Sequence, residues 1–183
     1  SLNIEIETIM PAHGIIWKDY IADIIETYKG IAAQKVENKA VIVYESVWKH
    51  TQQIAESLAE GFSDAGMDVK VYKLSDTKSS IVMREIMDAK VVCIGSGTYN
   101  NVMAPSVAAF LEHIRPCKFK NKKGLAFAAY GWFNQVAKEI DTRMQQSGIE
   151  SCHDVVNQCY TPSDNQLEDY FNVAKEIAKN CQE

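Results

Sequence analysis

Three short stretches of this sequence carry the residue types best suited to hold a ligand. The first is Tyr44-Glu45-Ser46-Val47-Trp48-Lys49-His50-Thr51, in which hydroxyls bracket the start of an apolar-periodic helix. Free backbone N–H groups and the dipole at a helix N-terminus favour a phosphate there. A Ser or Thr before a helix also serves simply as an N-cap, and both uses stay open. Trp48 argues for more than a cap, because an indole in a polar loop needs a partner to cover it. The stretch lacks the glycines and the Lys-Ser/Thr ending of a P-loop, which disfavours a nucleoside triphosphate.

The second stretch is Gly95-Ser96-Gly97-Thr98-Tyr99-Asn100-Asn101. It is one residue short of G-x-G-x-x-G, since Asn100 takes the final glycine position, and it follows the third strand of the main body rather than the first. A dinucleotide fingerprint is therefore a poor reading. Small residues followed by an aromatic and two amides suit a planar, hydrogen-bonding ligand, with Tyr99 over one face. A plain turn uses the same residue types. The third stretch, Tyr130-Gly131-Trp132-Phe133-Asn134, packs three aromatics into five residues. In a loop at a binding edge these read as a stacking wall.

The elements that must position these loops are legible from periodicity. From Lys39 onward, apolar runs at Val41–Tyr44, Val69–Leu74, Val91–Ile94, Leu125–Tyr130 and, less clearly, within Ser151–Tyr160 have the near-continuous character of strands covered on both faces. Helical spacing joins Ile54, Leu58 and Phe62; Val107, Phe110, Leu111 and Ile114; Val136, Ile140 and Met144; and Leu167, Tyr170, Phe171, Ala174 and Ile177. Five βα units predict an α/β fold with right-handed crossovers and a doubly wound parallel sheet. Ligands of such sheets bind beyond the carboxyl ends of the strands at the switch point, which places all three stretches on one edge. Residues 1–36 form an appendage to this body. Within it, Asn3–Met10 alternates as one strand, Pro11-Ala12-His13-Gly14 forms a turn, and a helix is predicted from Trp17 to about Ala33.

Composition narrows the function classes. The chain has 183 residues, is 46% hydrophobic and 23% charged, and carries a formal net charge of −5. No cluster of Lys and Arg makes a nucleic-acid footprint, and no apolar run reaches the roughly 20 residues of a membrane span. Glu5 and Glu7 interrupt the N-terminus before a secretory signal could build up. Five scattered cysteines, Cys93, Cys117, Cys152, Cys159 and Cys181, contain no C-x-x-C and read as reduced thiols of a cytoplasmic protein. Cys93 in a strand reads as core. His113 and His153 have no neighbouring ligands and read as surface residues, so neither a metal site nor a catalytic residue is expected.

The Ser46–Thr51 loop, Thr98-Tyr99-Asn100-Asn101 with Met103 and Pro105, Asn121-Lys122-Lys123-Gly124 and Tyr130-Gly131-Trp132 resemble the flavodoxin domain of flavodiiron proteins (A-type flavoproteins). Upstream, Pro11-Ala12-His13-Gly14-Ile15-Ile16-Trp17 is similar to the motif that closes that family's metallo-β-lactamase-like domain, so the resemblance spans nearly the whole chain. It implies a flavodoxin-like five-stranded parallel sheet of order 2-1-3-4-5 over residues 37–183. It also implies that residues 1–36 are the tail of the upstream domain plus a linker helix, and, with the rest of that domain's motifs missing, that the chain is a C-terminal piece of a longer protein. FMN is the implied cofactor. Ser46, Val47, Trp48, Lys49, His50 and Thr51 would cradle its phosphate, while Gly97, Thr98, Tyr99, Asn100 and Asn101, with Tyr130, Gly131, Trp132, Phe133 and Asn134, would contact its ring.

The sequence departs from the family pattern at three places. Lys49 stands where such phosphate loops often have glycine, Gly97 replaces an expected proline, and Phe133-Asn134-Gln135 replaces a glycine-rich stretch. His13 matches the family's last iron-ligand histidine, but the H-x-E-x-D-H-like segment carrying other ligands is absent, and one histidine cannot hold a diiron centre. The expected role is thus an electron-transfer domain that relays electrons from a rubredoxin-like or flavin reductase donor to an oxygen- or nitric-oxide-reducing diiron domain outside this chain. The family's head-to-tail dimer implies a homo-oligomer. Two other readings are an assembly module that has lost FMN and a stand-alone NAD(P)H-dependent flavin or quinone reductase. A phospho-receiver shares the topology but needs an Asp that Tyr44-Glu45-Ser46 does not supply.

Overall fold

The computed structural model describes residues 5–182. The chain divides into two compact units, Ser1–Lys35 and Val36–Glu183. In the first, Ile9 and Trp17 form an isolated antiparallel bridge, each N–H donating to the other's carbonyl at 3.0 Å. Of the strand expected over Asn3–Met10, Asn3 and Ile4 lie outside the described residues. Residues 5–8 form no strand, and only Ile9 is paired. An extended segment with one short partner cannot satisfy a full ladder. Helix α1 (Ile21–Ala32) starts later than the periodicity predicted, because Tyr20 before it takes a left-handed φ of 59°. None of its residues is buried.

The second unit runs β1 (Glu37–Glu45), α2 (His50–Asp64), β2 (Asp68–Lys73), α3 (Ser79–Met87), β3 (Ala89–Tyr99), β4 (Val102–Met103), α4 (Pro105–Ile114), β5 (Lys123–Tyr130), α5 (Val136–Gln146), β6 (Glu150–Ser151), β7 (Val156–Cys159) and α6 (Asp164–Gln182). The sheet order is β2-β1-β3-β5, with β6 and β7 each pairing with β5 at successive heights. All these pairs are parallel. This is the predicted doubly wound order 2-1-3-4-5, with the fifth place shared by two short strands.

Alternation along the strands divides the core. Val41 and Val43 of β1 face the layer built from Val82 and Ile86 of α3, Val107, Phe110 and Leu111 of α4, and Ile140 and Met144 of α5. Ala40, Ile42 and Tyr44 face the layer of Ile54, Leu58 and Phe62 of α2 with Ala174, Ile177 and Ala178 of α6. Both faces of the central strands are therefore dry, which is why β1, β3 and β5 read as unbroken apolar runs.

One boundary differs from the sequence reading in a way that shapes the site. Gly95–Tyr99, read as a loop, continues β3, and β4 folds back on it antiparallel with Thr98 opposite Met103 and Tyr99 opposite Val102. The two-residue turn between them is Asn100-Asn101, at φ 45° and 67°. Positive φ at both central positions is what a tight hairpin turn needs, and asparagine enters that region more readily than most residues. Buried Ser96 locks the hairpin base. Its hydroxyl accepts from the Ala104 N–H at 2.8 Å and donates to the Gly97 carbonyl at 2.7 Å.

Candidate functional site

At the carboxyl ends of β1, β3 and β5 a cleft of about 290 Å³ opens. Its lining includes Ser46, Val47, Trp48, His50 and Thr51 from the loop after β1, and Gly97, Thr98 and Tyr99 from the end of β3. Tyr130, Gly131 and Trp132 come from the end of β5 and its loop, and Ala129 and Tyr160 complete it. The three sequence stretches thus meet where the switch-point rule put them.

Each contributes differently. The loop after β1 enters α2 through Lys49, which has a left-handed φ of 66° and makes no side-chain cap hydrogen bond. The N-cap position is that of Lys49, so neither Ser46 nor Thr51 occupies it. Thr51 is nonetheless 1% exposed in the first turn of α2, and Ser46 is likewise buried. Beneath them, buried Glu45 accepts the Ser46 N–H at 3.0 Å and the Ser106 hydroxyl at 3.3 Å, which fixes the start of the loop. Burial, and secondarily the Glu45 charge, pushes the Tyr99 phenol above its ordinary pKa, so Tyr99 stays neutral as a wall. His50 Nε2 lies 3.1 Å from the Thr161 hydroxyl, joining this loop to the one after β7.

The aromatic walls are the most exposed side chains of the site. Trp48 is 80% exposed and Trp132 79%. Such large apolar faces at the rim of a cleft are unusual on a surface with no partner. Gly97 and Gly131 leave room between the walls. A Cβ at Gly97 would stand in ordinary contact, 3.5 Å from the Tyr99 ring and 3.7 Å from the Thr51 hydroxyl. One at Gly131 would meet the Tyr160 ring at 3.4 Å. Neither glycine has a positive φ, so the backbone does not require glycine at either position.

Five of the residues expected at the site do not line the cleft: Lys49, Asn100, Asn101, Phe133 and Asn134. Phe133 packs instead against the core layer of α4 and α5. Asn101 acts from behind, its amide oxygen accepting the Trp132 indole N–H at 3.1 Å. The sequence reading missed Ala129 and Tyr160. Tyr160 follows the fifth strand position, where the switch-point rule applies equally, and it is held at φ 56° with its N–H on the Tyr130 carbonyl at 2.8 Å. The cleft can hold a flat ring between aromatic faces, with an anionic tail at the α2 N-terminus. Among the described residues no group of three or more His, Cys, Asp or Glu side chains is placed to hold a metal ion, and no helix is long and apolar enough to cross a membrane.

These features agree with what the chain is similar to. Residues 42–173 match the flavodoxin family. A nitric oxide reductase of Moorella thermoacetica is 40% identical over 150 residues, covering 82% of this chain and 38% of that protein. The structure of rubredoxin oxygen:oxidoreductase from Desulfovibrio gigas superposes with a TM-score of 0.92 at 34% identity, over 96% of this chain and 44% of that one. The flavodiiron protein of Giardia intestinalis superposes with a TM-score of 0.90 at 26% identity, over 97% of this chain and 45% of that one. The chain therefore spans less than half the length of each of these three proteins. FMN is the cofactor of the family, and the chain belongs to it: a flavodoxin-family chain, related to the flavodoxin-like domain of flavodiiron proteins.

Proposed function

We propose that the cleft binds FMN and that the domain relays electrons to a diiron domain reducing oxygen or nitric oxide in an intact, cytoplasmic, homo-oligomeric protein, fed by a rubredoxin-like or flavin reductase donor. The observation that carries this reading is the pair of exposed indoles, Trp48 and Trp132, lining the same cleft as the buried Thr51. Bound there, FMN supplies one- and two-electron redox chemistry.

The chain's own residues bind, orient and exclude water. Ser46 and Thr51 offer hydroxyls, and the first turn of α2 offers N–H groups, to the phosphate. Trp48, Trp132, Tyr99 and Tyr160 cover the ring, and aromatic walls closed on it exclude water from its faces. Residues 1–36 are assigned to the end of a metallo-β-lactamase-like domain and its linker. The solvent-exposed Met10, Ile15, Ile16 and Tyr20 support this, because such side chains are ordinarily covered by a partner surface.

Titration of the purified protein with FMN, followed by flavin fluorescence and visible absorption, tests the reading. Saturable quenching at one equivalent is expected. Thr51→Ala removes one hydroxyl bond to a charged group, worth about 1.5 kcal/mol, and weakens binding roughly tenfold. A folded protein that leaves flavin fluorescence unchanged would sink the relay and leave the assembly-module reading.

A further inference from the structure

The two exposed indoles of the cleft are equally open to solvent but are not equally held. Trp132 donates its indole N–H to the Asn101 side-chain oxygen at 3.1 Å. Trp48 makes no side-chain hydrogen bond among the described residues. The acceptor is itself firmly placed. Asn101 sits in the β3–β4 hairpin turn, whose base is closed by the Ser96 hydroxyl and whose Thr98 hydroxyl lies 3.5 Å from the Phe133 carbonyl, one residue beyond Trp132. Phe133 is in turn packed against the core. Trp132 is therefore braced on both sides, by the chain through Phe133 and by the side chain of Asn101. The loop of Trp48 ends in the left-handed Lys49 and has no comparable brace on its indole.

We propose that Asn101 is a positioning residue that fixes Trp132 as the static wall of the cleft, leaving Trp48 as the wall that moves to cover a planar ligand. This rests on the cleft being the flavin site. A preset wall lowers the ordering cost of binding, because one large side chain has already lost its rotamer freedom before the ligand arrives. The other wall must stay mobile, since a site closed on both faces would admit the ring slowly. Asn101 thus acts on the ligand through Trp132 without touching it.

Because Asn101 also occupies a position of positive φ, an alanine there would strain the turn whatever its side chain does. Asn101→Gly separates the two roles, since glycine takes the same backbone conformation and lacks the acceptor. Asn101→Asp keeps an acceptor oxygen. Nitrogen-15 relaxation of the tryptophan indoles, assigned with Trp48→Phe and Trp132→Phe, reads the walls directly in the free protein. The Trp132 indole is expected to be rigid and Trp48 flexible, with order parameters near 0.85 and below about 0.6. In Asn101→Gly the Trp132 indole loosens toward the mobility of Trp48 and FMN affinity falls about three- to tenfold, the ordering cost of one large side chain. Asn101→Asp restores both. In a Trp132→Phe background, which keeps a ring but has no donor, Asn101→Gly changes affinity by less than about twofold.

Equal losses in both backgrounds, or a Trp132 indole whose order is unchanged by Asn101→Gly, would overturn the proposal. So would a Trp48 indole as rigid as Trp132 before ligand is added. If the wild-type protein binds no FMN but its Trp132 is rigid and loosens in Asn101→Gly, the flavin reading fails while the brace stands. The two failures are thus distinguishable.

Discussion

Lys49 holds a φ of 66° at the entry to α2, a conformation that costs a side chain with a Cβ about 1–2 kcal/mol. The family resemblance puts glycine at this position, and the left-handed backbone gives the reason. Lys49→Gly should therefore stabilise the free protein, by up to about 1 kcal/mol once the greater unfolded-state entropy of glycine is subtracted, as read from the denaturant midpoint. A second lysine sits at the opposite edge of the sheet. Lys122 is 2% exposed and donates to the Met87 and Ala89 carbonyls at 2.9 and 3.0 Å, at the end of α3 and the start of β3. Burial pulls its pKa down from 10.5 to about 8, with Asp88 opposing the shift and Lys39 adding to it. Lys122→Met strands two carbonyls and should cost about 2 kcal/mol at neutral pH. The sign of its pH dependence follows from linkage. Between about pH 8 and 10.5 the unfolded chain holds the Lys122 proton and the folded chain has released it, so this residue's contribution to stability rises with pH across that window. Buried thiols such as Cys93, held above their ordinary pKa by burial, pull the total the other way. The expected signal is accordingly a difference: the gap in stability between wild type and Lys122→Met widens from pH 8 to pH 10.

At the scale of elements, the site depends on how closely α2 can lie on its neighbours, because α2 delivers both Thr51 and the helix N-terminus. Gly61 is where it approaches α6. A Cβ there would overlap the Phe171 carbonyl oxygen and crowd the Ala174 side chain, both of them parts of a rigid helix. Ser57, one turn earlier, donates to the Leu167 carbonyl at 2.5 Å and sets the same spacing. Gly61→Ala should push the helices apart and cost about 1–3 kcal/mol, seen in thermal unfolding. It should also weaken FMN binding, although Gly61 lies three turns from the cleft, because α2 would carry Thr51 with it. A helix pair that separates with no change in flavin affinity would show that the loop after β1, rather than α2, sets the phosphate end.

For the whole molecule, ligand binding and folding are linked. FMN at a hundred times its dissociation constant should stabilise the folded state by about 2.7 kcal/mol, and raise the midpoint of thermal unfolding by roughly 5–10 °C. Riboflavin, which lacks the phosphate, should protect less at equal concentration, and the difference measures what the α2 N-terminus contributes. The extent to which this was legible beforehand follows from the range of the forces involved. Strand and helix identities and their alternation are local patterns of hydrophobicity, so the doubly wound parallel sheet and the edge that carries the cleft could be read from residues such as Val41–Tyr44 and Leu125–Tyr130, whereas the strand order came from the family resemblance. Ser46–Thr51, Gly97–Tyr99 and Tyr130–Trp132 were legible for the same reason, since polar, small and aromatic residues at strand ends have no place in a core. The hairpin at Asn100-Asn101 was not, because a strand continuing through glycines has no periodicity to show it. Nor were the packing of Phe133 against the core, the arrival of Tyr160 from the fifth strand, or the bond from Asn101 to Trp132. Those depend on which distant segments pack together, and residues 31 positions apart, as Asn101 and Trp132 are, meet only once the sheet has assembled. By itself the sequence determined the layers, the binding edge and the chemistry collected there. The tertiary structure decided which of those residues face the cleft and which hold the others in place, because side-chain direction is set by long-range packing that no local pattern records.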